Sequence, residues 1–271
     1  MLGAIIGDIV GSVYEFGNIK TKDFVFFQPD MEFTDDSILT AATADWILNG
    51  GSVARYYAGW GDSYPNPMGG YGSGFLNWLV RANRQQDYYP YMSCGNGSAM
   101  RITPVGWAYE AETETLDAAR LSAECTHNHP GGIAGAQAVA LAIFMARNGK
   151  SKDDIRHCIA DSYGYDLTAT VEQLQREYSW DGMPDGEWSG ATCQGSVPQA
   201  IICALDATDF EDAIRNAVSI GGDSDTIACI TGGIAEALYG IPEDIRSQAM
   251  AYLDDRIKAT VDAFETKYGK G

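Results

Sequence analysis

The strongest constraint on the fold is a segment that is apolar on nearly every side. It runs from Ile133 to Met145, "IAGAQAVALAIFM", and is followed by Asn148 and Gly149. A helix that is hydrophobic all round is stable in water only when other helices enclose it. Asn and Gly just past the last apolar residue are a C-terminal stop signal. The segment therefore predicts a central helix buried among others.

Several further segments carry helical spacing and helix end signals. Leu2 to Val13 is small and apolar, and Asp36 to Leu48 is closed by Asn49 and Gly50. Thr208 to Glu211 fits a capping box, a common helix start. The helix that it opens places apolar residues on one stripe between Phe210 and Val218. The sequence therefore predicts a succession of helices.

Strand patterns are nearly absent. The best candidate is Lys22 to Asp30, which Pro29 cuts short because proline cannot donate to a β-ladder. Trp180 to Ser196 is richest in turn formers and is expected to be a loop crossing one face. With 271 residues, 45% of them hydrophobic, the chain can bury one large core. We predict an all-α fold with a single domain spanning residues 1–271.

Charge and cysteine usage exclude some classes of function. The formal net charge of -19 argues against nucleic-acid binding through a basic surface, because such binding depends on lysine and arginine. The six cysteines form no CxxC pair, so neither a zinc knuckle nor a disulfide framework is expected. The apolar N-terminus carries Asp8, lacks a basic leader and is too short for a membrane span. We expect no membrane association and a reducing, cytoplasmic location.

Two predicted helices begin with an unusual density of acids. "FTDDSILT" places Thr34, Asp35 and Asp36 before one apolar helix, and "GGDSDTIA" places Asp223, Asp225 and Thr226 before another. Helix capping explains one acid at a helix start, but two acids exceed what capping needs. Four converging aspartates would repel one another and raise their pKa values unless divalent cations neutralised them. Capping and metal binding are the two alternatives, and the repetition favours metal.

The ligand chemistry narrows the choice of metal. Neighbouring residues on a helix point about 100° apart, so Asp35 and Asp36 would serve different ions. A set of carboxylate and hydroxyl oxygens suits magnesium, manganese or calcium and does not suit zinc. The sequence therefore predicts a site for two hard divalent ions.

An ordered set of motifs carries a family resemblance over essentially the whole chain. The motifs are "GAIIGDIVGSVYEF", "FTDDSILT", "GGYGSG", "SCGNGSAMR", "CTHNHPGGIAGA", "GSVPQAI" and "GGDSDTIA". Together they resemble the ADP-ribosylglycohydrolases, the family of dinitrogenase-reductase-activating glycohydrolase and the ADP-ribosyl-acceptor hydrolases. The resemblance implies a compact orthogonal helical bundle that hydrolyses the glycosidic bond between the distal ribose of ADP-ribose and an acceptor. The implied substrate is an ADP-ribosylated protein or a small ADP-ribose conjugate.

The resemblance also implies roles for individual residues. It implies two Mg²⁺ ions, which Mn²⁺ could replace, and a catalytic group of Glu15, Asp36 and Asp225. Glu15 matches a metal-contacting glutamate in a mobile loop of the ADP-ribosylserine hydrolases, and its role as acid or gate is our hypothesis. The implied metal ligands are Thr34, Asp35, Asp36, Asp223, Asp225 and Thr226.

An acidic protein that binds a diphosphate needs donors other than lysine, and backbone amides at glycine turns supply them. The implied substrate-binding residues are Gly70, Tyr71, Gly72, Ser73, Gly74, Ser93, Cys94, Gly95, Asn96, Gly97 and His127. Cys94 departs from the serine-type branch, which has a tyrosine there. His129 has no family counterpart, and His157 is expected at a helix surface.

Two other classes of function remain open. A phosphoesterase on a helical scaffold would also use two metals, although the histidine-aspartate type needs more than the three histidines present here. A non-catalytic ADP-ribose binder is the other alternative, and the intact acidic motifs argue against it. Neither the acceptor linkage, whether arginine, serine or another group, nor the oligomeric state follows from the sequence.

Overall fold

The computed structural model describes residues 1–184 and 186–269, and within them every regular element is a helix, which confirms the all-α prediction. A 3₁₀ turn, Ser12–Tyr14, extends the first helix. The α-helices are, in chain order, α1 (Leu2–Gly11), α2 (Asp35–Asn49), α3 (Val53–Ser63), α4 (Ser73–Gln85), α5 (Gly97–Met100), α6 (Thr103–Ala108), α7 (Glu112–Glu124), α8 (Pro130–Arg147), α9 (Lys152–Tyr163), α10 (Val171–Glu177), α11 (Cys193–Leu205), α12 (Phe210–Ser219), α13 (Ser224–Tyr239), α14 (Glu243–Met250) and α15 (Asp255–Tyr268).

Helix α8 is the predicted central helix and contacts α5, α6, α7, α9, α11 and α13. Its length and mean hydropathy of 1.2 would suffice for a membrane span, but 61% of it is buried inside the protein, as expected of a core helix. His129 is the N-cap of α8, and its ring accepts a hydrogen bond from the Gly131 amide at 3.0 Å. Buried apolar side chains from α1 to α15 form one continuous core.

Helices α1 and α13 pack in close backbone contact. Gly3, Gly7 and Gly11 recur at helical spacing on the face of α1 that meets α13. A Cβ atom on Gly7 would lie 1.9 Å from the Ala228 carbonyl oxygen, and one on Gly11 would lie 2.5 Å from the Cα of Asp225. Any larger side chain would separate the helices. This packing places the end of α1 beside the acidic start of α13.

The turn before α13 also depends on glycine. Gly221 and Gly222 have φ values of +70° and +74°, a region that side chains disfavour, and they turn the chain sharply into Asp223. A Cβ on Gly222 would also lie 2.5 Å from the ring of Tyr178. The turn places Asp223 and Asp225, both buried, at the N-terminal end of α13.

The strand candidate does not form a strand, and one predicted helix cap is corrected. The strand candidate Lys22–Asp30 is irregular, because its carbonyls bond to side chains: Arg215 donates to Lys22 and Phe24 at 2.9 and 2.8 Å. The N-cap of α12 is Asp209, one residue later than the predicted Thr208, because the Asp209 side chain accepts from the Asp212 amide at 2.8 Å, and the Asp212 side chain accepts from the Thr208 amide at 3.0 Å.

The predicted loop Trp180–Ser196 is only partly a loop. Helix α11 already begins at Cys193, and Asp185 lies outside the described residues. The part of this segment that borders the functional site is near Ala191, whose carbonyl accepts a hydrogen bond from the Asn96 amide at 3.1 Å.

Candidate functional site

The starts of α2, α4, α5 and α13 surround one cleft of about 340 Å³. Most of the predicted site residues line it, together with several that the sequence analysis did not single out. The predicted residues in its wall are Glu15, Asp35, Asp36, Gly70, Gly72, Ser73, Gly74, Ser93, Gly95, Asn96, Gly97, His127, Asp223, Asp225 and Thr226. The additional residues are Leu39, Phe75, Tyr91, Met100, Arg101 and Ala191.

Asp8 organises the start of α2 from outside that helix. It is fully buried in α1 and accepts hydrogen bonds from the amides of Thr34 and Ser37 at 2.9 and 3.0 Å. Both hydroxyls also donate to it, that of Thr34 at 2.7 Å. Burial raises the pKa of Asp8 to about 6, although these hydrogen bonds oppose that rise. Asp8 thus links α1 to the acidic start of α2.

The acids form two overlapping clusters. Carboxylate oxygens of Asp8, Asp36 and Asp225 lie within 4.8 Å of one another, and so do those of Glu15, Asp223 and Asp225. Asp225 belongs to both clusters. This overlap is the arrangement expected when two cations share a ligand between them.

Two carboxylate oxygens in the clusters have no hydrogen-bond partner. Oδ1 of Asp36 and Oδ1 of Asp225 are buried and unbonded among the described residues. A buried charged oxygen without a partner is costly, and a bound cation removes that cost. The donor set of carboxylate and hydroxyl oxygens fits a hard divalent ion such as Mg²⁺ or Mn²⁺. The residues present therefore fit the metal that the sequence predicts.

The caps of α2 and α13 bear on the choice between capping and metal binding. The residue that caps α2 is Thr34, whose hydroxyl accepts from the Asp36 amide at 3.2 Å. Asp223 holds the N-cap position of α13 but makes no side-chain capping bond. The acids of these two segments are therefore available for other partners.

The electrostatics agree with that conclusion. Burial, followed by the charges of neighbouring carboxylates, raises the pKa values of Asp35, Asp36 and Asp225 well above their ordinary range. For Asp225 the largest charge effects come from Asp223 and Asp36. Such mutual destabilisation is relieved when a cation binds between the acids.

Glu15 faces the clusters from the segment after α1 and is half-buried. Burial, then the charges of Asp223 and Asp8, raise its pKa to about 7. Its backbone carbonyl accepts from Trp180 Nε1 and from Asn18 Nδ2, each at 3.1 Å. A carboxyl group with a pKa near neutrality can either give or take a proton.

The acidic clusters form one wall of the cleft, and the glycine-rich start of α4 forms a second. Gly72, Ser73 and Gly74 line the cleft, and no side chain caps this 13-residue helix. Its first amides are therefore free for an anionic group. Tyr71 lies behind this wall, 6% exposed, with its hydroxyl donating to the Tyr64 carbonyl at 2.9 Å.

The third wall is the segment that leads into α5. Asn96 donates to Oδ2 of Asp223 at 2.8 Å, so this wall also orients a predicted metal ligand. Two more predicted residues lie behind the lining, as Tyr71 does. Cys94 is half-buried and its carbonyl accepts from the Cys193 amide at 2.9 Å, while Thr34 is buried against Asp8.

His127 lies deep in the cleft and is 4% exposed. Its Nδ1 pairs with the Thr126 hydroxyl at 2.7 Å. Burial, and then the charge of Arg101, lower the pKa of His127 well below its usual range, so the ring is neutral at pH 7. His157 is exposed on α9, as expected from the sequence.

Two residues of the site were missed by the sequence analysis as functional candidates. Asp8 stands alone among apolar residues in α1, and a buried acid in such a helix was the signal that could have revealed it. Arg101 closes the motif "SCGNGSAMR", but a single arginine after a helix is usually a surface residue. In the fold it is fully buried.

Comparison with known proteins agrees with this geometry. A family profile described as ADP-ribosylglycohydrolase matches residues 1–270. The chain belongs to the ADP-ribosylglycohydrolase family. Membership confirms the predicted family, its helical fold and its classification as a glycohydrolase.

Curated relatives match over most of their length. The human protein "ADP-ribosylhydrolase ARH3" is 27% identical over 96% of this chain and 90% of its own length. The "ADP-ribosylarginine hydrolase Tri1" of Pseudomonas putida is 24% identical over 89% of this chain and 70% of its own. A solved structure titled "ADP-ribosylglycohydrolase-related protein complex" has a TM-score of 0.72 and 23% identity, covering 99% of this chain and 95% of that one. This last likeness concerns the fold alone.

Proposed function

We propose that the protein is a Mg²⁺-dependent hydrolase that cleaves the glycosidic bond between the distal ribose of ADP-ribose and an acceptor. The observation that carries the proposal is the pair of carboxylate clusters sharing Asp225, with buried unbonded oxygens on Asp36 and Asp225. Family membership supplies the reaction class. The acceptor is a modified protein side chain or a small conjugate.

Each cluster would hold one ion. Asp8, Asp36 and Asp225 offer oxygens to the first, and Glu15, Asp223 and Asp225 offer oxygens to the second. Two Mg²⁺ ions held by these residues would supply Lewis-acid chemistry, by binding vicinal hydroxyls and lowering the pKa of a bound water. Asp35 lines the same cleft, and Thr226 Oγ1 lies 3.3 Å from Asp36 Oδ2, so both predicted ligands remain within reach of these ions.

The rest of the substrate would lie along the glycine-rich walls. The uncapped start of α4 presents backbone amides and the positive end of the helix dipole, which suit a diphosphate. The protein has 18 Lys and Arg against 37 Asp and Glu, so recognition of the diphosphate by amides is consistent with its charge. His127 would donate a hydrogen bond from the base of the cleft.

Glu15 is suited to handle the proton of the reaction. Departure of an alcohol from the anomeric carbon leaves an alkoxide unless an acid protonates it, and the transition state is oxocarbenium-like. In the metal-free protein the pKa of Glu15 is about 7, and Glu15 would act as a general acid only when its carboxyl group is not a ligand of the second ion. Glu15 also faces the clusters, where the anomeric carbon would lie.

The proposal is tested by incubating the purified protein, freed of metal and then supplied with Mg²⁺, with arginine-linked and serine-linked ADP-ribose conjugates. Mass spectrometry should detect free ADP-ribose and unmodified acceptor, and in H₂¹⁸O one labelled oxygen should enter the ribose. The relatives differ in the acceptors that their names state, so both linkages are included.

The controls separate the alternatives. Asp36→Asn should abolish the reaction, whereas Asp262→Asn removes an exposed acid on α15 and should leave it intact. Release of phosphate or AMP in place of ADP-ribose would favour the phosphoesterase. Tight ADP-ribose binding without turnover of any conjugate would favour a non-catalytic binder. Full turnover after verified removal of metal would refute the metal assignment.

A further inference from the structure

Arg101 is a buried cation without a carboxylate partner among the described residues. Its side chain is fully buried and its Cζ lies 4.0 Å from the centre of the Tyr57 ring. Nη2 donates to the Ser122 carbonyl at 3.0 Å and to Thr126 Oγ1 at 2.8 Å, whereas Nε and Nη1 have no partner. A buried unpaired charge is expensive, so its retention beside the cleft calls for a functional explanation.

The bond to Thr126 sets the direction of the next hydrogen bond. A guanidinium only donates, so Thr126 Oγ1 is the acceptor in that contact. Its hydroxyl proton is then free for one of two neighbouring acceptors, His127 Nδ1 at 2.7 Å and the Cys125 thiol, and the thiol is the weaker acceptor. The nearby positive charge also polarises the hydroxyl and makes it a better donor. A hydroxyl oxygen can accept twice, but only an accepting Nδ1 uses this proton in a strong hydrogen bond, so we assign Nδ1 of His127 as the acceptor.

The tautomer of His127 follows from this direction. A neutral imidazole whose Nδ1 accepts carries its proton on Nε2. Nε2 points toward the glycine turn in the cleft wall, because it lies 3.2 Å from the position that a Cβ on Gly97 would occupy. We propose that Arg101 and Thr126 are positioning residues that fix His127 as an Nε2–H donor aimed into the cleft.

The consequence concerns what His127 can do in the reaction. An Nε2–H donor has no lone pair toward the substrate, so His127 cannot take a proton there and serves to bind a substrate oxygen. In an acidic protein such a fixed neutral donor recognises the ribose or diphosphate oxygens of ADP-ribose. The identity of the ligand rests on the proposed function, whereas the assignment of the tautomer is independent of it.

The tautomer can be observed directly by ¹⁵N NMR of the imidazoles in the metal-free full chain. The chain has three histidines, and the His127→Gln spectrum assigns the signals of His127. In the native protein Nε2 should give the protonated signal and Nδ1 the unprotonated one. Thr126→Val and Arg101→Met should each produce a mixture of tautomers or the Nδ1–H form, and Thr126→Ser should restore the native pattern.

A matched control tests for general damage to the fold. Thr115→Val makes the same change at another buried threonine, whose hydroxyl donates, among the described residues, only to the carbonyl of Ala111 at the N-cap of α7. Its imidazole spectrum should equal that of the native protein. An unchanged His127 tautomer in both Thr126→Val and Arg101→Met would overturn the proposal, whether or not the protein hydrolyses ADP-ribose conjugates.

A double-mutant cycle then tests the effect on binding. Calorimetry with ADP-ribose and Mg²⁺ should show a roughly 2- to 12-fold weaker Kd for Thr126→Val, the range for one net hydrogen bond. In a His127→Gln background, whose amide can still donate, Thr126→Val should have no further effect. Equal losses of ADP-ribose affinity in both backgrounds would show that Thr126 acts without His127. That result would refute the proposed positioning of His127 by Thr126.

Discussion

Replacement of Asp225 by asparagine tests the metal assignment most directly. Asp225 contributes to both carboxylate clusters, and its Oδ1 is buried without a partner. Asparagine keeps the shape of the side chain but removes the charge that a cation requires. The substitution should therefore weaken the binding of both ions. Loss of an acid that belongs to only one cluster should weaken the binding of one ion.

The expected magnitudes differ between the metal-free and the metal-bound protein. Without metal, Asp225→Asn should be as stable as the native protein or more stable, because it removes one of several repelling buried carboxylates. Magnesium at about a hundred times its Kd should stabilise the native fold by about 2.7 kcal/mol for each ion bound. For a chain of this size that corresponds to a rise in Tm of roughly 5 °C for each ion.

Differential scanning calorimetry with and without Mg²⁺ measures both effects. Native protein and the exposed control Asp262→Asn should show the magnesium-dependent rise, and Asp225→Asn should lose most of it together with turnover. If Asp225 instead served only its helix, the variant would lose about 1 kcal/mol without metal and keep the response to Mg²⁺. An unchanged magnesium response in Asp225→Asn would refute the reasoning.

Three further predictions follow from the same cluster. Burial raises the folded-state pKa of Asp8 to about 6, and burial with the charges of Asp223 and Asp8 raises that of Glu15 to about 7, so the metal-free protein should lose stability as pH rises from about 4 to about 7, and saturating Mg²⁺ should remove that loss in thermal scans. Asn96→Ala deletes the 2.8 Å bond to Asp223 and should weaken Mg²⁺ binding roughly 10- to 100-fold by calorimetry, the usual effect of losing an outer partner of a ligand. Glu15→Gln should keep ADP-ribose binding but lose roughly 10²- to 10⁴-fold in single-turnover rate on O-linked conjugates, and an unchanged rate would remove its role as an acid.

The fold was largely predictable because its signals are local. Helix periodicity and end signals located α2 and α8 to within a few residues, since capping and apolar stripes depend on neighbours in the chain. The candidate strand at Lys22–Asp30 was a less secure signal. Its carbonyls accept hydrogen bonds from Arg215, which is distant in sequence. No local sequence pattern indicates such a partner.

The site was predictable where two motifs repeated the same chemistry. The acids at the starts of α2 and α13 exceeded what capping needs, and the fold brings them together in one cleft. Asp8 escaped notice because its role depends on the approach of α1 to α13, a long-range contact made possible by glycines. Arg101 escaped notice because burial of a single cation is not visible in a sequence.

The crossing of α1 and α13 explains why these acids can share a small volume. Backbone contact at Gly7 and Gly11 brings Asp8 within 4.8 Å of Asp225, closer than larger side chains at the crossing would permit. The same contact buries the acids and raises their pKa values, so the metal-free site stores electrostatic repulsion inside a well-packed core. Binding of the proposed divalent cations would relieve that repulsion. The close packing of two glycine-faced helices would then be the structural origin of the proposed cation affinity.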